Sequence, residues 1–379
     1  MTRTIVDVNV LQTVPPSNLN RDDTGSPKSA VYGGVRRARV SSQAWKRATR
    51  LAFKDVLDSS TLGTRTKRVV ELLGERIVQQ DPAIPVERAQ ELAVFAFSAA
   101  GIKLSAPRRS TAENPQPHES GYLLFLSSLQ LDHLAQLCAQ AHDTDDPKAH
   151  LKGADVKNAL DSSHSVDLSL FGRMVADASD LNVDAACQVA HAVSVHPVET
   201  EFDYFTAVDD HKDADAEEDA GAGMIGTVEF NASTLYRYAT IDVDLLARNL
   251  GDADATRLAV EAFVRAFVTS MPSGKQNTFA NRTLPDAVVI SLRDTQPVNL
   301  VGAFEEAVVG EHRLAQAAER LADYAVGIDR AYDTTPVETW IVRGNGTTKA
   351  LDVFGQPVSL GAAVSGVGAA VAERLQSQE

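Results

Sequence analysis

Residues 33–50 read GGVRRARVSSQAWKRATR, and the rest of the chain is best understood outward from them. Successive side chains of an extended segment point to opposite faces. Arg37, Arg39 and Ser41 then share one face, and Ala38 and Val40 the other. Ser41 and Ser42 offer N-caps for a helix predicted over roughly 43–57. Along that helix Arg47, Arg50 and Lys54 are spaced i, i+3, i+7, with Lys46 beside them, while Ala44, Ala48 and Leu51 supply an apolar side. The free N–H groups of its first turn, beside Gln43, favour anions. Strand cations, capping hydroxyls and helix cations thus converge, as a phosphate backbone requires when it is held without its sequence being read. No acid lies between Lys28 and Arg50 to pair these charges, which argues against a merely solvated basic face.

The charge of the whole chain points the other way. Its 379 residues carry 36 Lys and Arg against 51 Asp and Glu, a net of −15, and phosphate binding needs cations. The sum hides an asymmetry. Residues 1–55 hold ten basic and four acidic side chains, a net of +6, which leaves −21 for the remainder. Local field, not total charge, decides what a patch binds. The opposite extreme is Glu199–Asp219, with ten acids against Lys212 alone. Phe202, Tyr204, Phe205 and Val208 precede the densest acids, and Gly221-Ala222-Gly223 lets the chain return. This excursion reads as an aromatic wedge against bases, or as a disordered acidic loop beside core aromatics.

Hydrophobic (44 %) and charged (23 %) fractions are those of a globular protein and exclude disordered, collagenous and small disulfide-stapled classes. The length suggests about two to three domain-sized units. Cys138 and Cys187 lack metal-ligand spacing and fit a reducing compartment, read as the cytoplasm. Asp7 and Asn9 interrupt the N-terminal apolar run, unlike a signal peptide. No stretch approaches the ~20 apolar residues of a membrane helix.

Residues 4–11 alternate Val6, Val8 and Val10 with Asp7 and Asn9, the period of a strand. Residues 62–170 read as a mainly helical inserted lobe. AACQVAHAVSV (185–195) is a helix candidate, and GTVEFNASTLYRYATIDV alternates like strands. DATRLAVEAFVRAFVTSM is an amphipathic helix. DAVVISL and VETWIVRG read as strands, the region near 302–326 as a long helix, and the C-terminus as another. The order suggests an α+β core with two excursions.

Other motifs narrow the chemistry. MPSGKQNTF (271–279) follows a helix and has Gln276 where a P-loop needs Ser or Thr, so it is a connector or a phosphate- or sugar-contacting loop. His191 and His196 are five apart, not the i, i+4 pair of a zinc helix. Asp22-Asp23 could bind a divalent ion, or cap and pair locally.

With these residues in hand the chain closely resembles the CasC backbone subunits of the type I-E CRISPR surveillance complex, Cascade. The resemblance rests on Asn20-Arg21-Asp22-Asp23, GGVRRARVSSQAWKRA, FGRM (171–174), AHAVSVHPVETEFDYFTAVDD, GTVEFNASTLYRYATI and PSGKQNTFA. It implies an RRM-like (ferredoxin-like) palm of residues 1–60, 180–198 and 226–379, a helical finger lobe of 61–179 and a protruding thumb hairpin of 199–225. It implies a non-catalytic scaffold without a cofactor or metal, stacking head to tail with copies of itself along CRISPR RNA. Other Cascade subunits and, through the guide, target DNA are the further partners. Guide contacts then fall on Arg21, Lys28, Ser41, Gln43, Lys46 and Arg50, with Lys275 and Gln276 from the second block. The basic stretch itself adds Arg37, Arg39 and Arg47. Met174 matches a methionine packed against bases, and Tyr204, Phe205 and Val208 match apolar thumb residues. Two rivals stand beside this scaffold: a metal-dependent ribonuclease using Asp22 or Asp23, and an interaction protein that assembles without RNA.

Overall fold

The computed structural model describes residues 3–151, 153–207 and 224–377. They fall into two compact units, one of residues 1–52, 189–240 and 263–371, the other of 53–188, 241–262 and 372–379. The sequence places the corresponding boundaries at 60/61 and 179/180, and residues 241–262 join the second unit from farther along the chain.

An antiparallel sheet organises the first unit. Among its strands are β1 (Ile5–Ser17), β2 (Ser29–Tyr32), β3 (Val35–Val40), β4 (Ala192–Ser194), β5 (Glu201–Ala207), β6 (Met224–Asp242), β7 (Ala287–Arg293) and β8 (Glu338–Arg343). The path runs β8-β7-β1-β6-β4-β3-β2, and β5 pairs with β6 as a long hairpin. β1 is set against β7 from Ile5↔Arg293 to Leu11↔Ala287.

The alternation in β1 predicts one wet face, yet both faces are buried. Asp7 accepts from Arg293 Nε (3.0 Å), Tyr238 Oη (2.7 Å) and the Val298 amide (3.0 Å). Burial raises the Asp7 pKa, opposed by these donors. Asn9 Oδ1 accepts from Tyr236 Oη at 2.8 Å. The polar half of the pattern is thus an internal network, because a buried polar group needs a partner. On that same face Leu11, with Tyr236, Val289, Phe304, Ala318, Leu321 and Ile341, forms a core with the helix Arg313–Tyr332. The long helix expected near 302–326 is displaced, because Gly310 (φ +84°) and His312 (φ +55°) are left-handed and exclude helix there.

The helix expected at 185–195 is also overturned. Cys187–Val189 and Ala192–Ser194 are strands, and the amides of Ala190 and Val195 donate to the carbonyls of Tyr238 and Thr234 at 2.9 Å each. Partners on β6 outweigh the helical preference of the alanines.

In the second unit, helices α2 (Val69–Gln80), α3 (Val86–Ala99) and α4 (Ser128–His142) bury Leu73, Ile77, Leu92, Ala96, Phe97, Leu131, Leu134 and Cys138 in one cluster. A reciprocal cap starts α4: Ser127 Oγ accepts from the Gln130 amide (3.0 Å), and Gln130 Oε1 from the Ser127 amide (3.1 Å). Among the described residues, no helix is long and apolar enough to cross a membrane.

Candidate nucleic-acid interface

The double glycine makes the turn of the β2–β3 hairpin. Tyr32 pairs with Val35 across Gly33 (φ +57°) and Gly34 (φ +78°), the two positive dihedrals of a two-residue turn. A Cβ on Gly33 would lie 1.6 Å from the Glu305 carbonyl, so the turn rests directly on that backbone.

That contact separates two arginines expected to act together. Arg37 is fully buried. It donates to the carbonyls of Ser194 (2.9 Å), Phe304 (2.9 Å), Glu305 (3.2 Å) and Tyr32 (3.2 Å). Burial lowers its pKa. Arg37 is therefore a clamp on backbone oxygens, and its assignment to the RNA face is corrected. Arg39, two residues on and partly exposed, donates to Ser29 O (3.3 Å) and reaches His191 Nδ1 (3.0 Å).

Asn20 gathers the remaining strand and loop groups. Its side-chain oxygen accepts from the Ser41 amide at 2.9 Å, and its carbonyl from the Lys28 amide at 2.9 Å. The Lys28 carbonyl in turn accepts from the Arg39 amide at 2.9 Å. Lys28, Arg39 and Ser41 are thereby fixed around one asparagine. Asp22 folds the adjoining loop: Oδ1 accepts from the Thr24 amide (3.0 Å), Thr24 Oγ1 (2.7 Å) and the Ser26 amide (3.0 Å), which lowers its pKa, the Thr24 hydroxyl foremost. Among the described residues no cluster of three His, Cys, Asp or Glu is placed to hold a metal ion.

The second block closes on the same loop. A Cβ on Gly274 would stand 2.3 Å from the Leu19 carbonyl and 2.6 Å from that of Asn18, so only glycine permits this approach. Gly274 lines an open groove with Leu19–Gly25, and Lys275 and Gln276 follow it directly in sequence. A second groove is lined by Asn20, Lys28 and Arg39 with Asn231 and Ser233 of β6. Asn231 and Ser233 escaped the sequence reading, although both are polar residues at i, i+2 within the alternating β6 segment.

Helix α1 (Ser42–Ala52) is shorter than expected and turned differently. Ser41 is its cap, Oγ accepting from the Ala44 amide at 3.3 Å. Trp45 and Thr49 form the buried side, whereas Leu51 is 41 % exposed, so the apolar side expected of Ala44, Ala48 and Leu51 is corrected. Trp45 lies over the buried Arg237, its ring centroid 3.7 Å from the guanidinium carbon, with Phe267 at 4.5 Å. Arg237 also donates to Gln12 Oε1 (2.6 Å) and to the Phe267 carbonyl. This stack locks the helix through dispersion and cation–π attraction. It leaves Gln43 and Arg47 exposed, with Lys46 and Arg50 half-buried at their flanks.

On the β5–β6 hairpin, Phe202 (67 % exposed) and Tyr204 (63 %) share one face. Phe205 lies on the other, directly opposite Gly226, where a Cβ would meet its ring at 2.4 Å. Val208 lies outside the described residues. In the second unit, the FGRM turn is pinned from within. Arg173 is buried and donates to the carbonyls of Leu181 and Leu160 at 2.8 Å each, and Met174 is left 80 % exposed.

The CT1975-like protein family matches residues 6–364, nearly the whole chain. The chain belongs to this family. Two solved structures are similar to this CT1975-like protein along almost its full length. A chain of one described as a CRISPR RNA-guided surveillance complex, pre-nicking, has a TM-score of 0.82 and 34 % identity, covering 97 % of this chain and 99 % of that one. A chain of another described as a CRISPR RNA-guided surveillance complex has a TM-score of 0.74 and 30 % identity over the same shares. No curated protein matches.

Proposed function

We propose that this CT1975-like protein is the CasC-type backbone subunit of a type I-E Cascade, a cytoplasmic, non-enzymatic scaffold that binds CRISPR RNA through its backbone. Its palm is RRM-like, and copies stack head to tail so that guide bases stay open to target DNA. The observation that carries the reading is the convergence on Asn20: Lys28, Arg39 and Ser41 are held there by consecutive hydrogen bonds, and the Gly274 contact brings Lys275 and Gln276 to the same loop. Arg21, Gln43, Lys46, Arg47 and Arg50 extend this polar surface, and Tyr204, Phe205, Val208 and Met174 supply apolar contacts to bases. The similar surveillance-complex chains support the same assignment.

The three hydrogen bonds on Asp22 Oδ1 give that carboxylate a structural task and favour the scaffold over a ribonuclease. The test is RNA affinity at several salt concentrations, for two unrelated guides, with Lys46→Glu/Arg50→Glu beside the wild type. Backbone recognition gives a loss equal for both guides and a flatter salt dependence. A loss confined to one guide contradicts it. Mg²⁺-dependent cutting of complementary RNA that disappears in Asp22→Ala or Asp23→Ala would replace the scaffold by the nuclease.

A further inference from the structure

His191 belongs to none of the contacts so far assigned to RNA. Its neighbour in sequence, His196, shows what a satisfied histidine looks like here. His196 is buried, its Nε2 accepts from the Thr234 amide (3.1 Å), and its Nδ1 faces the Pro197 carbonyl (2.8 Å). His191 is instead exposed and precedes β4 directly. The β3–β4 register pairs Arg39 with Val193 and Val40 with Ala192, which sets His191 against Ser41, the cap of α1. The imidazole therefore stands on the face that carries Arg39 and Ser41.

Its tautomer follows from its partner. The guanidinium of Arg39 has only donors, so at 3.0 Å His191 Nδ1 must accept. The proton of the neutral ring then sits on Nε2, which has no partner among the described residues. A protonated ring would turn an N–H toward Arg39, so the contact favours the neutral form. Arg39 and Lys28 are the charged groups that act on the ring, and both, with desolvation foremost, lower its pKa. The ring is thus an aimed neutral donor beside two cations.

We propose that His191 is a further RNA-contacting residue, its Nε2–H donating to a backbone oxygen of the strand held by Lys28 and Arg39. This inference rests on the RNA-binding reading above. A neutral donor adds a directional hydrogen bond without releasing a counterion, so it contributes affinity but not salt dependence.

Three variants of the full chain separate contact from orientation. Gln places an N–H donor near the position of Nε2, Asn retains an acceptor for Arg39 but does not reach as far, and Ala has neither. RNA affinity is measured at pH 8 over a range of salt, with thermal melting as the control for folding. His191→Ala is expected to weaken binding about tenfold, the scale of a lost hydrogen bond to a charged acceptor, with the salt slope unchanged. His191→Gln restores most of the loss and His191→Asn little of it. A same-sequence DNA strand identifies the acceptor: an equal penalty with DNA assigns a phosphate oxygen, and a penalty with RNA alone assigns the 2′-hydroxyl. Wild-type affinity in His191→Ala, or full rescue by Asn, would overturn the contact. Failure of the wild type to bind RNA at all would overturn the underlying reading as well.

Discussion

At the residue scale, the same side chain does opposite work two positions apart. Arg37 and Arg39 share a strand face, yet the backbone at 304–305 covers the first and not the second. Arg37→Met should therefore lower stability by about 2–4 kcal/mol, since four carbonyls lose charged donors. Arg39→Met should leave the melting temperature nearly unchanged and weaken RNA binding. Equal melting of the two variants, followed by calorimetry, would contradict the division. His196 supplies a pH dependence of stability. Its folded pKa is lowered, by desolvation first, so its contribution is fully present above the unfolded value near 6.5. That contribution is lost as pH falls below this value toward the folded pKa, where the unfolded chain binds the extra proton. Melting curves from pH 8 to pH 5.5 should fall, and fall less steeply in His196→Gln.

At the element scale, the position of α1 depends on one indole. Trp45 is fully buried against Arg237, and Trp45→Ala should cost about 3–5 kcal/mol in unfolding free energy, as for other buried aromatics. The β5–β6 hairpin divides its aromatics between two faces. Phe202→Ala with Tyr204→Ala should leave melting unchanged and alter the regular pattern of nucleotide reactivity along a bound guide; an unaltered pattern would remove the hairpin from the RNA contact. These elements also mark what local sequence can and cannot carry. The strand period of Val6, Val8 and Val10 and the apolar run of DAVVISL are fixed by backbone alternation, and both are strands. The cation cluster was legible because no acid interrupts it. The side of α1 that is buried was not legible, since Trp45 is held by Arg237, nearly 200 residues away in sequence. The strands at 185–195 were missed for the same reason: their alanines favour a helix until β6 offers carbonyl partners. His191 was weighed only as a zinc ligand, because its meaning lies in a guanidinium on another strand.

At the scale of the whole molecule, the charge of −15 and the basic first 55 residues are compatible. Removing Arg37 from the surface takes one cation out of the patch but leaves Lys28, Arg39, Lys46, Arg47 and Arg50 around α1 and the Asn20 loop. Under the proposed function, the acidic remainder would disfavour duplex DNA outside the groove and offer opposite charge to a stacked copy, so the stacking proposed above should weaken as salt is raised. The most direct measurement is native mass spectrometry of the protein co-expressed with a CRISPR RNA, beside Lys46→Glu/Arg50→Glu. The account predicts several protein copies on one RNA of defined length for the wild type, and folded, RNA-free protein for the variant. Wild-type protein that assembles without RNA, or a variant that retains the full RNA complement, would contradict it.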